Sequence, residues 1–279
     1  MLKTKLIVIT VTRNDYCGLK NTIESLFPIK NFIRTHIIVD GNSSDQSKVY
    51  LEEYKLKEKE VGYKITSISE NDKGIFDAMN KAVNILKTTC FNQNDYIWFL
   101  NAGDLAIEND YSLLDKFDNE LLFFSAQIKK INNENILFRP NLSINNETFN
   151  NWIKIETPVH QAVFFLSRII NEIHFDLSFP NQADSKLIYE LYSKYLGSYI
   201  GLPVCVFYYG GLSSNYSNSS KCLTQFVEQL YIINSFRKKS WLSPIFLYIV
   251  FGFKHILTRM FGPKIFSKLH FVILKYKYL

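Results

Sequence analysis

LIVITVTRND, residues 6–15, passes from a run of apolar and β-branched side chains into a polar Arg-Asn-Asp cluster. A continuous run of this kind is typical of a strand that is buried on both faces. We therefore predict a first strand from Lys5 to Val11, followed by a polar loop at residues 12–14. The run is too short for a secretory signal peptide, and no small-residue cleavage site follows it.

The N-terminal part of the chain alternates between strand-like and helix-like patterns. Three more short apolar runs predict buried strands, namely His36–Val39, Tyr63–Ile68 and Tyr96–Leu100. Helical spacing of apolar side chains predicts helices between them, at about residues 19–27, 46–59 and 75–86. Such alternation indicates parallel strands joined by helical crossovers, and hence an α/β fold.

Each of the four predicted strands is followed by a polar loop, at residues 12–14, 40–45, 70–73 and 101–104. Parallel strands end at one edge of a sheet, where ligands bind, so the four loops predict one site. Asp104 lies just outside an apolar strand and could bind Mg²⁺ or Mn²⁺ with a substrate diphosphate. An Asp that caps the next turn would look the same. Lys73-Gly74 could hold phosphate or be an ordinary helix start.

Several familiar motifs are missing from the sequence. There is no G-x-G-x-x-G after the first strand, no G-x-x-x-x-G-K-[ST] and no G-x-S-x-G. The sequence therefore disfavours dinucleotide-binding, P-loop and serine-hydrolase sites. The four cysteines form no C-x-x-C, which argues against a zinc site or a disulfide framework and suits a reducing compartment.

The pattern changes in the second half of the chain. Between about residues 110 and 150 it is weak and rich in Asn. An apolar run at 162–166 then predicts a strand, Asp184 precedes a helical pattern at 185–196, and residues 204–209 predict a last strand. We place a soft boundary near residue 218, so that residues 1–218 form one α/β domain and residues 219–279 a helical extension.

The extension carries the charge asymmetry of the chain. From residue 229 onward there are nine Lys or Arg and no Asp or Glu, whereas residues 1–228 have 23 basic and 26 acidic residues. A basic, aromatic-rich helix is typical of a peripheral contact with an anionic membrane surface. A helical pair packed on the domain would look similar. Nucleic acid is a disfavoured partner because no recognisable binding module is present, and no run reaches the roughly 20 apolar residues of a spanning helix.

The polar loops and the strands that carry them resemble, in order and spacing, the family 2 glycosyltransferases, which have the GT-A fold. The segments that carry the resemblance are LIVITVTRND (6–15), IIVDGNSSD (37–45), SENDKGIFDAMNKA (69–82), YIWFLNAGD (96–104), PVHQAVFF (158–165), FPNQADSKL (179–187) and FYYGGLSSN (207–215). The match is closest to a bacterial subgroup that extends O-antigen or capsule repeat units. It implies a Rossmann-like mixed sheet with flanking helices.

The resemblance also implies a set of residues that bind the nucleotide-sugar donor. This set comprises Thr12, Asn14, Asp40, Asp72, Lys73, Asn80, Asn101 and Gly103. Within it, Thr12 and Asn14 would border the nucleoside and Asp40 the base or ribose. Asp72 would lie near the uridine and Lys73 near the diphosphate.

A metal site and a catalytic base are implied by the same resemblance. Residues 101–104 occupy the place of the family's D-x-D-type motif, but Asn101 and Gly103 stand where many members have carboxylates. Asp104 is therefore the single acid, which predicts weak metal affinity without donor. His160 would line the donor or metal site, or be a structural histidine. Asp184 matches the base of inverting members, although an Asp at this point could also be a helix N-cap.

The implied activity is transfer of a hexose, glucose or galactose favoured, from a UDP-sugar with inversion to a β-linkage. Mn²⁺ or Mg²⁺ is the expected cofactor and an undecaprenyl-diphosphate-linked saccharide the expected acceptor. The enzyme would act on the cytoplasmic side of the membrane, as a peripheral protein. Two alternatives are a non-catalytic sugar-nucleotide-binding scaffold and a nucleotidyltransferase, although the latter usually has a glycine-rich loop after its first strand.

Overall fold

A computed structural model describes residues 4–89, 91–130, 133–153, 156–195 and 197–209, together with residues 224, 225, 227, 228, 231, 232 and 235. The boundary near 218 and the extension beyond residue 235 lie outside the described residues. None of the helices that are described is long and apolar enough to cross a bilayer.

The secondary structure follows the predicted alternation in its first half. In chain order the strands and α-helices are β1 (Leu6–Thr12), α1 (Tyr16–Leu26), β2 (Ile33–Asp40), α2 (Ser47–Leu56), α3 (Glu58–Val61), β3 (Lys64–Ser69), α4 (Ile75–Lys87), β4 (Tyr96–Phe99), β5 (Leu105–Ala106), β6 (Leu121–Lys130), β7 (Asn133–Arg139), α5 (Asn146–Trp152), β8 (Val163–Leu166), α6 (Ala183–Lys194) and β9 (Gly197–Tyr209). Four 3₁₀ helices lie at Phe27–Phe32, Tyr111–Lys116, His160–Ala162 and Ser167–Glu172.

Among the described residues, nine strands form one mixed sheet. Its order is β3-β2-β1-β4-β8-β6-β9-β5, with β7 paired to β6. The first four strands of this order are parallel. Strand β8 is antiparallel to β4 and β6, and β9 is parallel to β6. The expected α/β mixed sheet with flanking helices is therefore confirmed.

Strand β1 is buried along its whole length, as its apolar run predicts. Its alternate side chains enter two different cores: Leu6 and Val8 pack on the side of α1, whereas Ile7, Ile9 and Val11 pack on the side of α4. Because successive side chains of a strand point to opposite faces, a strand that lies between two helical layers has to be apolar throughout. The parallel half is thus a sheet between two layers of helices.

The structure departs from the predicted elements in two places. The helix expected at 46–59 divides at Lys57 into α2 and α3. The weakly patterned region contains β6 and β7, which pair as an antiparallel hairpin, and β6 also pairs with β8 and β9. Local periodicity missed β6 because its partners are distant in sequence, and its place inside the sheet is decided by those partners.

A buried chain of hydrogen bonds runs through the core towards the end of β4. His36 Nε2 lies 2.9 Å from Thr10 Oγ1, and His36 Nδ1 lies 3.0 Å from the Tyr54 hydroxyl. Thr10 Oγ1 donates to the carbonyl of Leu100 at 2.8 Å. The single hydroxyl proton of Thr10 is thereby used, so His36 Nε2 donates to Thr10 Oγ1. Complete burial lowers the pKa of His36 from 6.5 to about 3, which favours the neutral imidazole. A neutral ring with its proton on Nε2 accepts at Nδ1 from the Tyr54 hydroxyl.

We predict that His36→Gln changes the pH dependence of stability. The folded-state pKa of His36 is lowered, so its contribution to stability is complete above pH 6.5. It is lost as pH falls towards 3, by about 1.4 kcal/mol per pH unit. Gln does not titrate, so the stability gap between wild type and variant should narrow on acidification. Urea unfolding at pH 7, 5.5 and 4.5 measures this gap, and a gap that stays constant would contradict the assignment.

Candidate active site

The carboxyl ends of β3, β2, β1 and β4 meet at one edge of the sheet. Thr12 is in register with Asp40, and Asp40 with Ser69. On the other side of β1, Leu100 and Ala102 donate their backbone N–H groups to Ile9 and Val11. The four polar loops therefore leave the sheet side by side, and we call this edge the rim.

The loop after β1 is fastened to the loop after β2. Asn14 has a left-handed backbone with φ of 50°, a conformation that Asn tolerates better than most residues. Its backbone N–H donates to Ser43 Oγ at 2.8 Å, and its side-chain Oδ1 accepts from the Ser44 N–H at 2.7 Å. Thr12 is buried beside it, and its hydroxyl has no hydrogen-bond partner among the described residues.

Asp40 lies beneath the rim rather than on its surface. The residue is fully buried, and its carboxylate accepts from the backbone N–H and the hydroxyl of Ser43 and from the hydroxyl of Ser69 at 2.5 Å. These partners hold the carboxylate in place, and through them Asp40 supports the loop at residues 41–45. The expected contact of Asp40 with the base or ribose stays a prediction.

Asp72 lies in the loop that follows β3, the strand at one end of the rim. Its side chain is 4% exposed, its Oδ1 accepts from the Gly74 N–H at 2.9 Å, and Arg13 Nη1 approaches the same oxygen at 3.8 Å. A Cβ atom on Gly41 would collide with Asp72 Oδ2, so a larger residue at this position would have to displace the Asp72 side chain. Lys73 is exposed next to this contact, and its backbone N–H donates to Asp77 Oδ2 at 2.9 Å.

A threonine side chain of α1 forms hydrogen bonds with the backbone of the loop at residues 101–104. Thr22 Oγ1 donates to the carbonyl of Asp104 at 2.7 Å and accepts from the Gly103 N–H at 3.0 Å. Gly103 has φ of 92°, a region that favours glycine, and this explains why no carboxylate side chain stands at this position. Sequence analysis missed Thr22, although a hydroxyl residue among the helically spaced apolar residues Leu19, Ile23 and Leu26 was a signal.

Asp104 is 7% exposed and lies in the wall of the rim. Its Oδ2 accepts from Gln161 Nε2 at 2.7 Å. The backbone carbonyl of Gln161 in turn accepts from the Trp98 indole N–H at 2.7 Å. Burial raises the pKa of Asp104 from 3.8 to about 7, against the opposing effects of Gln161 and His160. The alternative that Asp104 caps the following turn is wrong, because its carboxylate bonds across the sheet to Gln161.

His160 connects the loop at 101–104 to Asp184. Asn101 Nδ2 lies 3.1 Å from His160 Nε2, and His160 Nδ1 lies 3.0 Å from Asp184 Oδ2. With an amide nitrogen facing Nε2, Nε2 accepts and Nδ1 carries the proton that is donated to Asp184. His160 therefore lies within the site and is not an isolated structural histidine.

Asp184 is the second residue of α6, and its side chain is 23% exposed. The N-cap of this helix is Gln182, so the alternative that Asp184 is the cap is wrong. Its Oδ1 accepts from the Ser185 N–H at 2.7 Å, and its Oδ2 accepts from His160. A carboxylate has about four lone-pair sites, so Asp184 keeps acceptor capacity on its exposed side.

Asn80 of α4 bonds the backbone of Phe175. Its Nδ2 donates to the carbonyl of Phe175 at 2.8 Å, and its Oδ1 accepts from the Phe175 N–H at 2.8 Å. The side chain is buried and both ends of its amide are used, so Asn80 fastens the segment before Asp184 to α4. The expectation that Asn80 also binds the donor stays a prediction.

The oxygen atoms around Asp104 are of the type that Mg²⁺ and Mn²⁺ prefer. Asn101 Oδ1 and Gln161 Oε1 are buried without a hydrogen-bond partner among the described residues, and Asp104 carries a carboxylate that burial disfavours as an anion. No group of three or more His, Cys, Asp or Glu side chains in the described part of the chain could hold a metal ion. The residues present fit a cation whose remaining ligands come from elsewhere.

Comparison with protein families gives one match. The model described as "Glycosyl transferase family 2" matches residues 7–172, which includes the four loops of the rim, His160 and Gln161. No curated protein sequence matches the chain.

Solved structures with this fold include several glycosyltransferases. TarS 1–349 of S. aureus in complex with UDP is 15% identical with a TM-score of 0.58, and the match covers 90% of this chain and 71% of that chain. The mannosyltransferase PcManGT of Pyrobaculum calidifontis, in complex with GDP-Man and Mn²⁺, is 12% identical with a TM-score of 0.55, covering 95% and 73%. GalNAc-T7 with UDP, GalNAc and Mn²⁺ is 12% identical with a TM-score of 0.56, covering 92% and 56%. The fold is that of the GT-A glycosyltransferases.

We predict that Asp104→Asn stabilises the protein in EDTA at high pH. The folded-state pKa of Asp104 is raised, so as pH rises from 3.8 to about 7 the wild type loses about 1.4 kcal/mol per pH unit. Asn does not ionise, and the advantage of the variant should therefore grow between pH 4 and pH 8. Thermal melting at both pH values measures the difference. Equal melting temperatures at pH 8 would show that the carboxylate is not penalised by burial.

Proposed function

The chain belongs to glycosyltransferase family 2, and from this premise we propose that it transfers a hexose from a UDP-sugar to a lipid-diphosphate-linked saccharide and inverts the anomeric centre. The chain is thus an enzyme. We assign the donor to the rim formed by the loops at 12–14, 40–45, 70–74 and 101–104, and the acceptor hydroxyl to the neighbourhood of Asp184.

One observation carries the proposal. Through Asn101 and His160, a chain of hydrogen bonds joins the loop that contains Asp104 to the carboxylate of Asp184. In a single displacement the acceptor hydroxyl attacks opposite the departing nucleotide, so a base and a site for the diphosphate must stand on either side of one anomeric carbon. A rigid link between the two groups supports this division of tasks.

We assign to Asp184 the role of base. The acceptor hydroxyl loses its proton to the exposed side of this carboxylate while its oxygen bonds to the anomeric carbon and the bond to the diphosphate breaks. The Nδ1–H of His160 and the N–H of Ser185 hold the carboxylate in one orientation. Such fixed orientation removes the entropic cost of aligning base and hydroxyl.

We assign the departing diphosphate to the Asp104 side of the rim. Asp104, with the amide oxygens of Asn101 and Gln161 beside it, would hold Mn²⁺ or Mg²⁺, which when bound neutralises charge that develops on the leaving diphosphate. His160, whose two ring nitrogens are used by Asn101 and Asp184, would line this site without binding the cation. Lys73 is exposed at the start of α4 and supplies a second positive charge. Thr12, whose buried hydroxyl has no partner in the described structure, and Asn14 border the nucleoside, with Asp72 on the far side.

The choice of UDP has support from two structural neighbours, TarS and GalNAc-T7, which are described with UDP, whereas PcManGT is described with GDP-Man. The cation has support from the Mn²⁺ of PcManGT and GalNAc-T7. The hexose, the lipid-diphosphate acceptor and a place in O-antigen or capsule synthesis are supported by the likeness of SENDKGIFDAMNKA and FLNAGD to the bacterial subgroup.

We further propose that the extension from about residue 219 brings the enzyme to the cytoplasmic face of the membrane as a peripheral protein. The nine cations and the absence of acids beyond residue 228 support attraction to anionic lipid. This position suits an acceptor that is itself anchored in the bilayer by its lipid.

The function is tested with a panel of UDP- and GDP-sugars and a synthetic lipid-diphosphate acceptor. The wild type should release UDP from UDP-glucose or UDP-galactose in the presence of Mn²⁺, and EDTA should abolish the release. Asp184→Asn should keep donor KM within about threefold and lose about 10²–10⁴-fold in kcat, because only the general base is removed. A loss confined to donor KM would refute the assignment of the base, and an inactive wild type on every donor would refute the function.

The membrane proposal predicts that removal of residues 240–279 weakens vesicle binding. Full-length protein should sediment with phosphatidylglycerol vesicles at low salt and dissociate as salt is raised, because screening weakens attraction between exposed charges. The shortened chain should remain in the supernatant, and neutral phosphatidylcholine vesicles serve as the control. Full-length protein that does not sediment with either vesicle would contradict the proposal.

A further inference from the structure

The described residues of the early extension, namely 224, 225, 227, 228, 231, 232 and 235, are helical and lie against the catalytic domain. We call them the C-terminal segment. Its inward residues are spaced three and four apart, as on one face of a helix: Gln225 is partly buried, Glu228 is 5% exposed and Ile232 is fully buried. Ile232 belongs to the hydrophobic core cluster that also contains Ala183 and Leu187 of α6, the helix that carries Asp184.

Glu228 binds the turn that leads into α6. Its Oε2 accepts from the backbone N–H of Asn181 at 3.1 Å, and its Oε1 accepts from Asn181 Nδ2 at 3.0 Å. The carbonyl of Gln225 accepts from Gln182 Nε2 at 2.9 Å. Both partners stand within three residues of Asp184. Gln182 is the N-cap of α6, so the segment sets where this helix begins.

Burial disfavours the ionised form of the Glu228 carboxylate. Burial raises its pKa, the two bonds from Asn181 oppose the rise, and the negative charge of Asp184 adds to it. A buried carboxylate close to a second carboxylate is tolerated only where it is well paired. The pairing with Asn181 uses both oxygens and both donors of one residue, and such a two-point contact fixes orientation as well as distance.

The segment from Phe175 to Gln182 is thus fastened at both ends. Asn80 of α4 holds the backbone of Phe175, and Glu228 with Gln225 holds Asn181 and Gln182. Between these points the Phe179 ring contacts the Tyr231 ring at 5.2 Å between centroids. The position of Asp184 therefore depends on one clamp within the domain and one supplied by the start of the extension.

We propose that Glu228 is a positioning residue for the reaction, which holds Asp184 at the acceptor hydroxyl through Asn181 and α6. The inference rests on the proposed role of Asp184 as base. It makes the start of the extension part of the catalytic unit, whereas the extension beyond residue 235 could be an anchor alone.

The chain offers a swap that tests the contact by rescue. In Asn181→Asp two carboxylates face each other, and in Glu228→Ala the turn loses both of its acceptors. In Glu228→Gln alone the Asn181 amide can turn over, so that its Oδ1 accepts from Gln Nε2. In the double variant Glu228→Gln/Asn181→Asp the backbone N–H donates to Gln Oε1 and Gln Nε2 donates to the new carboxylate, so both bonds are restored. Asn181→Asp and Glu228→Ala should each lose about 10–100-fold in kcat with donor KM unchanged, because a displaced base costs rate and not donor binding. The double variant should recover to within about threefold of wild type.

Full-length protein, UDP-glucose or UDP-galactose and Mn²⁺ are used throughout, with Val227→Ala as the matched control because Val227 is 57% exposed on the same segment. Hydrogen exchange of peptides that span residues 175–187 gives a second readout, which should accelerate in Asn181→Asp and Glu228→Ala and return in the double variant. Wild-type kcat and unchanged exchange in Asn181→Asp and Glu228→Ala would overturn the proposal, as would a loss in Asn181→Asp that Glu228→Gln does not rescue. A wild type inactive on every donor would refute the proposed function instead, and the exchange data would still decide whether Glu228 holds the turn.

Discussion

The rim depends on one constraint: the polar groups that leave the sheet at its carboxyl edge are buried, so each needs a partner in the protein or in a bound ligand. An unpaired buried donor or acceptor costs about 1–3 kcal/mol. Asp40 meets the constraint with Ser43 and Ser69, and Asp104 meets it with Gln161. Each pairing also fixes the path of a loop, so the loops take their places without a ligand. Such prior order is what lets fixed dipoles stabilise charge during a reaction.

Periodicity predicted the parallel half of the fold because the buried strands β1, β2 and β4 are each apolar in their own sequence. It failed for β6, whose position inside the sheet follows from the distant strands β8 and β9. The same limit applies to the site. Motif order pointed to Asp104 and Asp184, yet the hydrogen bonds that hold the loop of Asp104 span 57 residues to Gln161 and 82 to Thr22. A local pattern cannot reveal such pairs.

The single acid in the loop at 101–104 has a structural reason. Gly103 stands where a carboxylate is common in the family, and its φ of 92° would strain most other residues. The turn lets its N–H reach Thr22 and directs Asp104 into the wall of the rim. A cation held there has few protein ligands in the described residues and needs the oxygens of a diphosphate. Metal and donor are then expected to bind together, because the diphosphate supplies oxygen ligands for the cation and the cation neutralises the charge of the diphosphate.

The buried carboxylate of Glu228 distinguishes an extension that serves only as an anchor from one that also supports the catalytic domain. A segment that served only as an anchor could leave the domain from any point on its surface and would gain nothing from a carboxylate placed near Asp184. In the observed segment Glu228 instead binds the turn before α6. Ile232 lies in the hydrophobic core cluster that also contains residues of that helix. Because Glu228 binds both the backbone and the side chain of Asn181, a displacement of the segment would move the start of α6. The helix that carries the proposed base and the start of the extension are thereby joined at one carboxylate.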